Sequence, residues 1–158
     1  MMTLAERLAR AKEMPRHLSE LSCLTGHKVE RFDLLSPERT SSIRDQVRLT
    51  PPSPSVAWET GFREKETPRF RKFLERLHNS NASDVYLWTP ATNICGLLPP
   101  LPLREVNFDF PFNLNPEGIL TVLTSDLQDS LILDYSETEE GARLEIEAAG
   151  PHWSTVEF

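Results

Sequence analysis

The sequence has few glycines, few cysteines and no long apolar run, and each scarcity excludes a class of protein. Its six glycines form neither a GxGxxG nor a P-loop pattern, so no glycine-rich phosphate loop is predicted. Cys23 and Cys95 lie far apart and outside any CxxC pattern, so we expect reduced, buried thiols. A disulfide between them is the less favoured alternative. The longest apolar stretch, 94–103, contains three prolines and is far shorter than the roughly 20 residues of a membrane-spanning helix.

Motifs for metal binding and nucleophilic catalysis are also missing. The histidines form no HxH, HxxxH or HExxH pattern and are expected at the surface or as helix caps: His17, His27, His78 and His152. There is no GxSxG, and Cys95 has apolar neighbours. We therefore predict a non-enzymatic protein with no cofactor, no metal and no catalytic residue. An unrecognised enzyme with an acid–base pair among Asp109, Asp126, Asp129 and Asp134 is the alternative.

Basic residues are nearly absent from the second half of the chain. Residues 1–80 carry 15 Lys and Arg against 11 Asp and Glu, whereas residues 81–158 carry 2 against 13. The net charges are therefore +4 and −11, and the whole chain is at −7. The acids of the second half must stay in water, pair with the first half, or face a basic partner.

Residues 1–80 read mainly as helices. Thr3 and Glu6 form a capping box, and the helix that they begin is expected to break or kink at Pro15, near Glu13. Ser36-Pro37 and Thr67-Pro68 are helix starts, each with a cap followed by proline. The second of these helices carries the clearest apolar stripe: Phe70, Phe73, Leu74 and Leu77. The proline-rich segment 49–66 is predicted as an ordered surface loop.

From Asp84 onward the apolar residues recur with period two, which is typical of strands. Predicted strands cover Val85–Trp88, Val106–Phe112, Ile119–Thr124, Ser130–Tyr135 and Ala142–Ala149, with short segments at Ile94–Leu98 and Trp153–Phe158. Their short connections favour antiparallel neighbours. We predict a single α+β domain over 1–158: helices (1–80) packed on a C-terminal antiparallel meander of four to six strands (81–158).

Acidic side chains in this sheet and its turns are the sharpest functional feature. The predicted partner-binding residues are Asp126, Asp129, Glu137, Glu139, Glu140, Glu145 and Glu147. Glu145 and Glu147 share one face of a strand, so that face is not core. Tyr135, His152 and Trp153 are candidate anchors, and Trp153 could equally belong to the core.

Two further features have competing interpretations. Arg69, Arg71, Lys72 and Arg76 lie on the polar side of one helix, which suggests a nucleic-acid patch, but a solvated face or pairing with the acidic half is favoured. The segment 99–104 matches PxxPxR, so an adaptor function through an SH3-type partner is an alternative to a structural linker.

The C-terminal segments 115–126, 131–134, 144–147 and 150–153 resemble the tail of several small bacterial immunity proteins. These belong to contact-dependent growth inhibition and related polymorphic toxin systems. The resemblance implies a cytoplasmic, non-enzymatic inhibitor of a cognate toxin, commonly a nuclease. A nuclease needs a cationic surface to hold phosphate, so an acidic inhibitor fits it. We expect a protein partner, with no nucleic acid and no membrane; the N-terminus has no signal-like apolar region, which favours the cytoplasm.

Overall fold

Four helices and five strands form the fold in a computed structural model that describes residues 2–158. The helices are α1 (Leu4–Thr25), α2 (Pro37–Leu49), α3 (Pro68–Ser80) and α4 (Thr92–Cys95), and the strands are β1 (Ser55–Gly61), β2 (Val85–Trp88), β3 (Ile119–Thr124), β4 (Ser130–Thr138) and β5 (Gly141–Ala149). The strands make one antiparallel sheet in the order β1-β5-β4-β3-β2. The predicted α+β class is confirmed.

Within residues 2–158, no helix combines the length with the apolar character that crossing a bilayer demands.

The predicted helix starts are confirmed by their capping geometry. Thr3 and Glu6 exchange both hydrogen bonds of the capping box. Ser36 caps α2 and Thr67 caps α3, each with proline at the first helical position. These local signals work because the side-chain oxygen satisfies a backbone N–H that has no partner inside the helix.

The predicted break at Pro15 is wrong, because α1 runs through it as one helix of 22 residues. Proline removes one backbone hydrogen bond from the helix interior. Buried residues on both sides of Pro15 anchor the helix to the rest of the protein, among them Met14, Leu21 and Leu24. Tertiary packing therefore outweighs the local cost of the proline.

The segment predicted as a loop contains β1, which lies at the edge of the sheet beside β5. Prolines at 51, 52 and 54 precede β1, and only the sequence SVAWETG forms the strand. Strands β2 to β5 follow one another as the predicted meander, and β1 extends it by pairing with the last strand. The pairing of β1 with β5 joins residues far apart in sequence, so the local sequence does not predict which strand β1 joins.

Three segments predicted as strands are not strands. In 106–112 the predicted alternation of buried and more exposed side chains is confirmed, since Val106, Phe108 and Phe110 are buried. The backbone of this segment, however, forms no hydrogen-bonded pairing with another strand. The C-terminal segment holds a 3₁₀ turn at Trp153–Thr155 in place of a strand, and 94–98 begins in the short helix α4. Alternating burial needs only an extended chain over a core, so it does not by itself specify pairing.

One face of the sheet carries the hydrophobic core. α3 contributes Phe70, Phe73 and Leu77 to it, and α1 contributes Leu21 and Leu24. The sheet contributes the alternate residues of its strands: Leu120, Val122, Leu131, Leu133, Leu144 and Ile146. The residues between them point to the opposite side, which we call the outer face.

Candidate interaction surface

The outer face brings acidic residues from three neighbouring strands into one row. The register pairs Glu145 of β5 with Glu59 of β1 on one side and with Asp134 of β4 on the other. All three are exposed, and half-buried Glu147 follows two residues after Glu145 on the same face. We call these four residues the acidic sheet face. Directly opposed side chains in a sheet have Cβ atoms about 4.5–5.5 Å apart, so these carboxylates are close neighbours.

One cation accompanies the acidic sheet face. Arg143 lies on the same face, two residues before Glu145, and its Nε is 3.4 Å from Oε1 of Glu59. The Glu59 side chain is 67% exposed, so this pair contributes little to stability. The face as a whole stays negative.

The seven residues predicted to bind a partner are divided among the outer face, the β4–β5 hairpin and the β3–β4 turn. Glu145 and Glu147 lie on the outer face as expected. Glu137 pairs with Ala142, whose side chain packs against the core, so Glu137 points to the other side of the sheet. Glu139 and Glu140 form the exposed tip of the β4–β5 hairpin. Since β4 has nine residues, this tip lies roughly 30 Å from the turn that holds the two remaining acids.

Those two residues, Asp126 and Asp129, stabilise the β3–β4 turn. Asp129 is 1% exposed, and its carboxylate accepts hydrogen bonds from the backbone N–H groups of His152 and Trp153, both at 2.9 Å. It also accepts from Nδ2 of Asn81 and Nδ1 of His152, each at 2.8 Å. These hydrogen bonds hold its pKa below the usual value even though burial opposes that shift. Asp129 is therefore not part of an open surface.

Asp126 is exposed but engaged in the same turn. It accepts from Oγ1 of Thr124 at 2.7 Å, from the N–H of Gln128 at 3.1 Å and from Nδ2 of Asn81. Burial raises its pKa, but these hydrogen bonds together outweigh that effect and hold the pKa below its ordinary value. Both aspartates therefore use their carboxylates to stabilise the β3–β4 turn.

Two members of the acidic sheet face, Glu59 and Asp134, are not among the partner-binding residues predicted from the sequence. Glu59 lies in the proline-rich segment that is predicted as a loop, and Asp134, which lies within β4, is named in the sequence analysis only as an acid–base candidate. The alternation Val56, Trp58 against Ala57, Glu59 is the signal that could have found β1.

The cations of α3 do not neutralise the acidic sheet face. Arg69 lies 3.8 Å from Glu64 and donates to the carbonyl of Phe158, and its guanidinium is 4.2 Å from the Phe158 ring centre. Arg71 donates to the carbonyl of Glu66, and Arg76 donates to that of Glu157. Because α3 packs on the core side of the sheet, its exposed basic side chains and the acidic sheet face lie on different sides of the protein.

The proline segment 99–104 is built into the fold. Leu101 exchanges two backbone hydrogen bonds with Val85 of β2, at 2.7 and 3.0 Å, and Leu103 is 2% exposed. Pro99, Pro100 and Arg104 are exposed. An SH3-type groove would have to compete with the sheet for this backbone, which favours the linker interpretation.

The candidate anchors Tyr135 and Trp153 belong to the core. Tyr135 is 3% exposed, and Trp153 is fully buried with its Nε1 donating to the carbonyl of Leu77 at 3.0 Å. His17 was expected at the surface but is buried, with Nε2 2.8 Å from the carbonyl oxygen of Gly96. Burial lowers its pKa, so it joins α1 to the α4 region as a neutral ring.

The two cysteines are free thiols, Cys95 buried and Cys23 half-buried. Burial raises the pKa of both, which disfavours the nucleophilic thiolate. Among residues 2–158, no three His, Cys, Asp or Glu side chains are placed to hold a metal ion.

Lys65 is a buried cation in a segment predicted as surface loop. It is 1% exposed, its Nζ donates to the carbonyl of Phe110 at 2.8 Å, and it lies 4.4 Å from the ring centres of Phe62 and Phe110. Burial lowers its pKa. The ring faces and the carbonyl stabilise the ammonium ion, so Lys65 has a structural role here.

Comparison with known protein families, with curated proteins and with solved structures finds no match to this chain.

Proposed function

We propose that this chain is a non-enzymatic binding protein that covers a basic surface of a partner protein with its acidic sheet face. One observation carries the proposal: the register sets Glu59, Glu145 and Asp134 side by side on three strands, exposed, with one nearby cation. Like charges directly opposite one another destabilise a sheet by up to about 1 kcal/mol per pair. A cationic partner surface would relieve this repulsion on binding.

We further propose that the partner is a cognate toxin with a basic, nuclease-type surface, so that the chain acts as an immunity protein. The resemblance of segments within 115–153 to bacterial immunity proteins supports this partner class. The charge argument supports it independently, because complementary charge accelerates association and a toxin that arrives active must be neutralised fast.

The test compares two variants that each lose three negative charges. The first, Glu59→Gln/Asp134→Asn/Glu145→Gln, removes the row of opposed acids. The matched control, Glu38→Gln/Asp45→Asn/Glu75→Gln, changes exposed acids on α2 and α3. Tagged native protein and both variants are used to capture partners from the native host, which are then identified by mass spectrometry and produced for kinetic measurements.

We expect the native protein and the control to capture a basic protein whose association slows as salt rises from about 0.05 M to about 0.5 M. The first variant should bind it at least about tenfold more slowly. Equal binding by both variants, or association indifferent to ionic strength, would contradict the proposed surface. Capture of a partner with an acidic surface would contradict the partner class.

A further inference from the structure

The sheet ends at β1, and one side of the backbone of this strand is paired with β5. In an antiparallel pair, hydrogen-bonded residue pairs alternate with non-hydrogen-bonded pairs. The N–H of Gly150 donates to the carbonyl of Pro54 at 2.9 Å, so these two residues form a hydrogen-bonded pair directly before β1. Alternation from this pair identifies the residues of β1 that bond to β5: Val56, Trp58 and Thr60.

The residues between them direct their backbone groups away from the sheet: Ser55, Ala57 and Glu59. All three residues are exposed. Within residues 2–158, their outward N–H groups and carbonyl oxygens have no hydrogen-bond partner. The opposite edge of the sheet is less open, because Val85 of β2 exchanges two backbone hydrogen bonds with Leu101. A row of unpaired backbone groups on a strand of seven residues is a template for one more strand.

The side chains of β1 determine what kind of strand fits this edge. On the outer face Glu59 lies beside Glu145, and Ala57 lies beside Glu147. Because Ala57 is small, a long basic side chain on an added strand could extend over it to Glu147. The alternate side chains of β1 are half-buried on the core side, so apolar neighbours would cover them further: Val56, Trp58 and Thr60.

We propose that an extended segment of the basic partner protein adds to the sheet beside β1 as a further antiparallel strand. Lysine or arginine of this segment lies opposite Ala57 and Glu59, and apolar residues lie between them. Backbone hydrogen bonds along the edge supply affinity, and the alternating side chains supply specificity. This inference rests on the proposed function, since it names the segment of the partner that the acidic sheet face holds.

Charge decides between this occupant and a second copy of the chain. Two copies of β1 paired edge to edge would bring the acidic sheet face of one copy beside that of the other. Like charges on neighbouring strands are destabilising, whereas a basic strand pairs favourably with Glu59. Arg143 limits the basic part of the segment, because it lies beside Gly61 on the outer face and would repel a cation opposite Gly61.

The experiment adds a capped heptapeptide of alternating lysine and valine to the whole native protein and follows amide hydrogen exchange by NMR. In the free protein we expect the amides of Ala57 and Glu59 to exchange fast and that of Trp58 to exchange slowly, because only Trp58 bonds to β5. The peptide at about 1 mM should slow exchange at Ala57 and Glu59 at least about tenfold. A matched peptide of alternating glutamate and valine should leave both amides unchanged.

Two substitutions at one position test the backbone contact. Ala57→Pro removes an outward N–H without removing a hydrogen bond to β5, and proline is tolerated at such edge positions. It should weaken binding of the lysine–valine peptide at least about tenfold, because a carbonyl of the peptide loses its donor. Ala57→Thr is the control of similar size that keeps the N–H, and its affinity should stay within about threefold of the native value.

Peptide binding that leaves the amides of Ala57 and Glu59 unprotected would overturn the added strand, while the charge attraction of the proposed function would stand. Slow exchange of both amides in a self-associated free protein would also overturn it, because a second copy would then occupy the edge. Conversely, full protection by the peptide in Glu59→Gln/Asp134→Asn/Glu145→Gln would support the strand and contradict the proposed function. The exchange measurement on the native chain decides the question even if Ala57→Pro folds poorly.

Discussion

Replacement of the buried Glu20 by Gln should make the protein more stable at pH 8 and leave it nearly unchanged at pH 4. The pKa of Glu20 is raised from 4.5 to about 7, mainly by burial. Below pH 4.5 the carboxyl is protonated in both the folded and the unfolded chain. Between pH 4.5 and 7 the unfolded chain ionises while the folded protein retains the proton, so the free energy of unfolding falls as pH rises.

The size of the effect follows from the pKa difference. Each pKa unit corresponds to about 1.4 kcal/mol, so the shift corresponds to about 3 kcal/mol above pH 7. Gln has nearly the shape of the neutral acid and removes this cost. With a urea m-value of about 2 kcal/mol per M for a chain of this size, the unfolding midpoint of Glu20→Gln should exceed that of the native protein by about 1–1.5 M at pH 8.

The assay is urea unfolding at intervals from pH 4 to pH 8.5, followed by tryptophan fluorescence, to which the fully buried Trp153 contributes. Other titrating groups, including His17 and Asp129, act equally in both proteins and cancel in the difference. Glu13→Gln, two turns away on α1, is the control and should change stability by less than about 1 kcal/mol at every pH. A difference between Glu20→Gln and the native protein that does not vary with pH would refute the reasoning.

Three other changes test the sheet and its turns. Glu145→Lys places a cation between Glu59 and Asp134, so it should raise the free energy of unfolding by about 0.5–1 kcal/mol while abolishing binding of a basic partner; a loss of stability would contradict the register. Asp129→Asn should lower the free energy of unfolding by about 2–4 kcal/mol at pH 7 in chemical denaturation, because its carboxylate accepts four hydrogen bonds. Since the pKa of Asp129 is lowered, this stabilisation in the native protein is present above about pH 4 and is lost as pH falls further, so a constant difference from pH 2 to pH 7 would count against it. Gly150→Ala should cost about 2–4 kcal/mol in the same measurement, because Gly150 has φ +112° and a methyl group would collide with Asp129; an unaffected midpoint would contradict the packing of this turn.

Local signals in the sequence determined much of the secondary structure. The capping residues Thr3, Ser36 and Thr67 marked the helix starts because a cap is a contact within four residues of chain. The period-two alternation located β2 and β3 to the residue. Such features depend on neighbours along the chain, so a single sequence contains them in full.

Tertiary structure decided the features that depend on residues distant in sequence. It kept α1 continuous through Pro15 by burying Met14 before the proline and Leu21 and Leu24 after it, and it made an edge strand of 55–61 by pairing it with β5. It also determined the environment of each acidic residue. Asp129 is buried in a turn, whereas Glu145 is exposed between Asp134 and Glu59 on the outer face of the sheet. Composition showed that the second half was acidic, but only long-range register could show which carboxylates face one another, because strand pairing brings together residues that are unrelated along the chain.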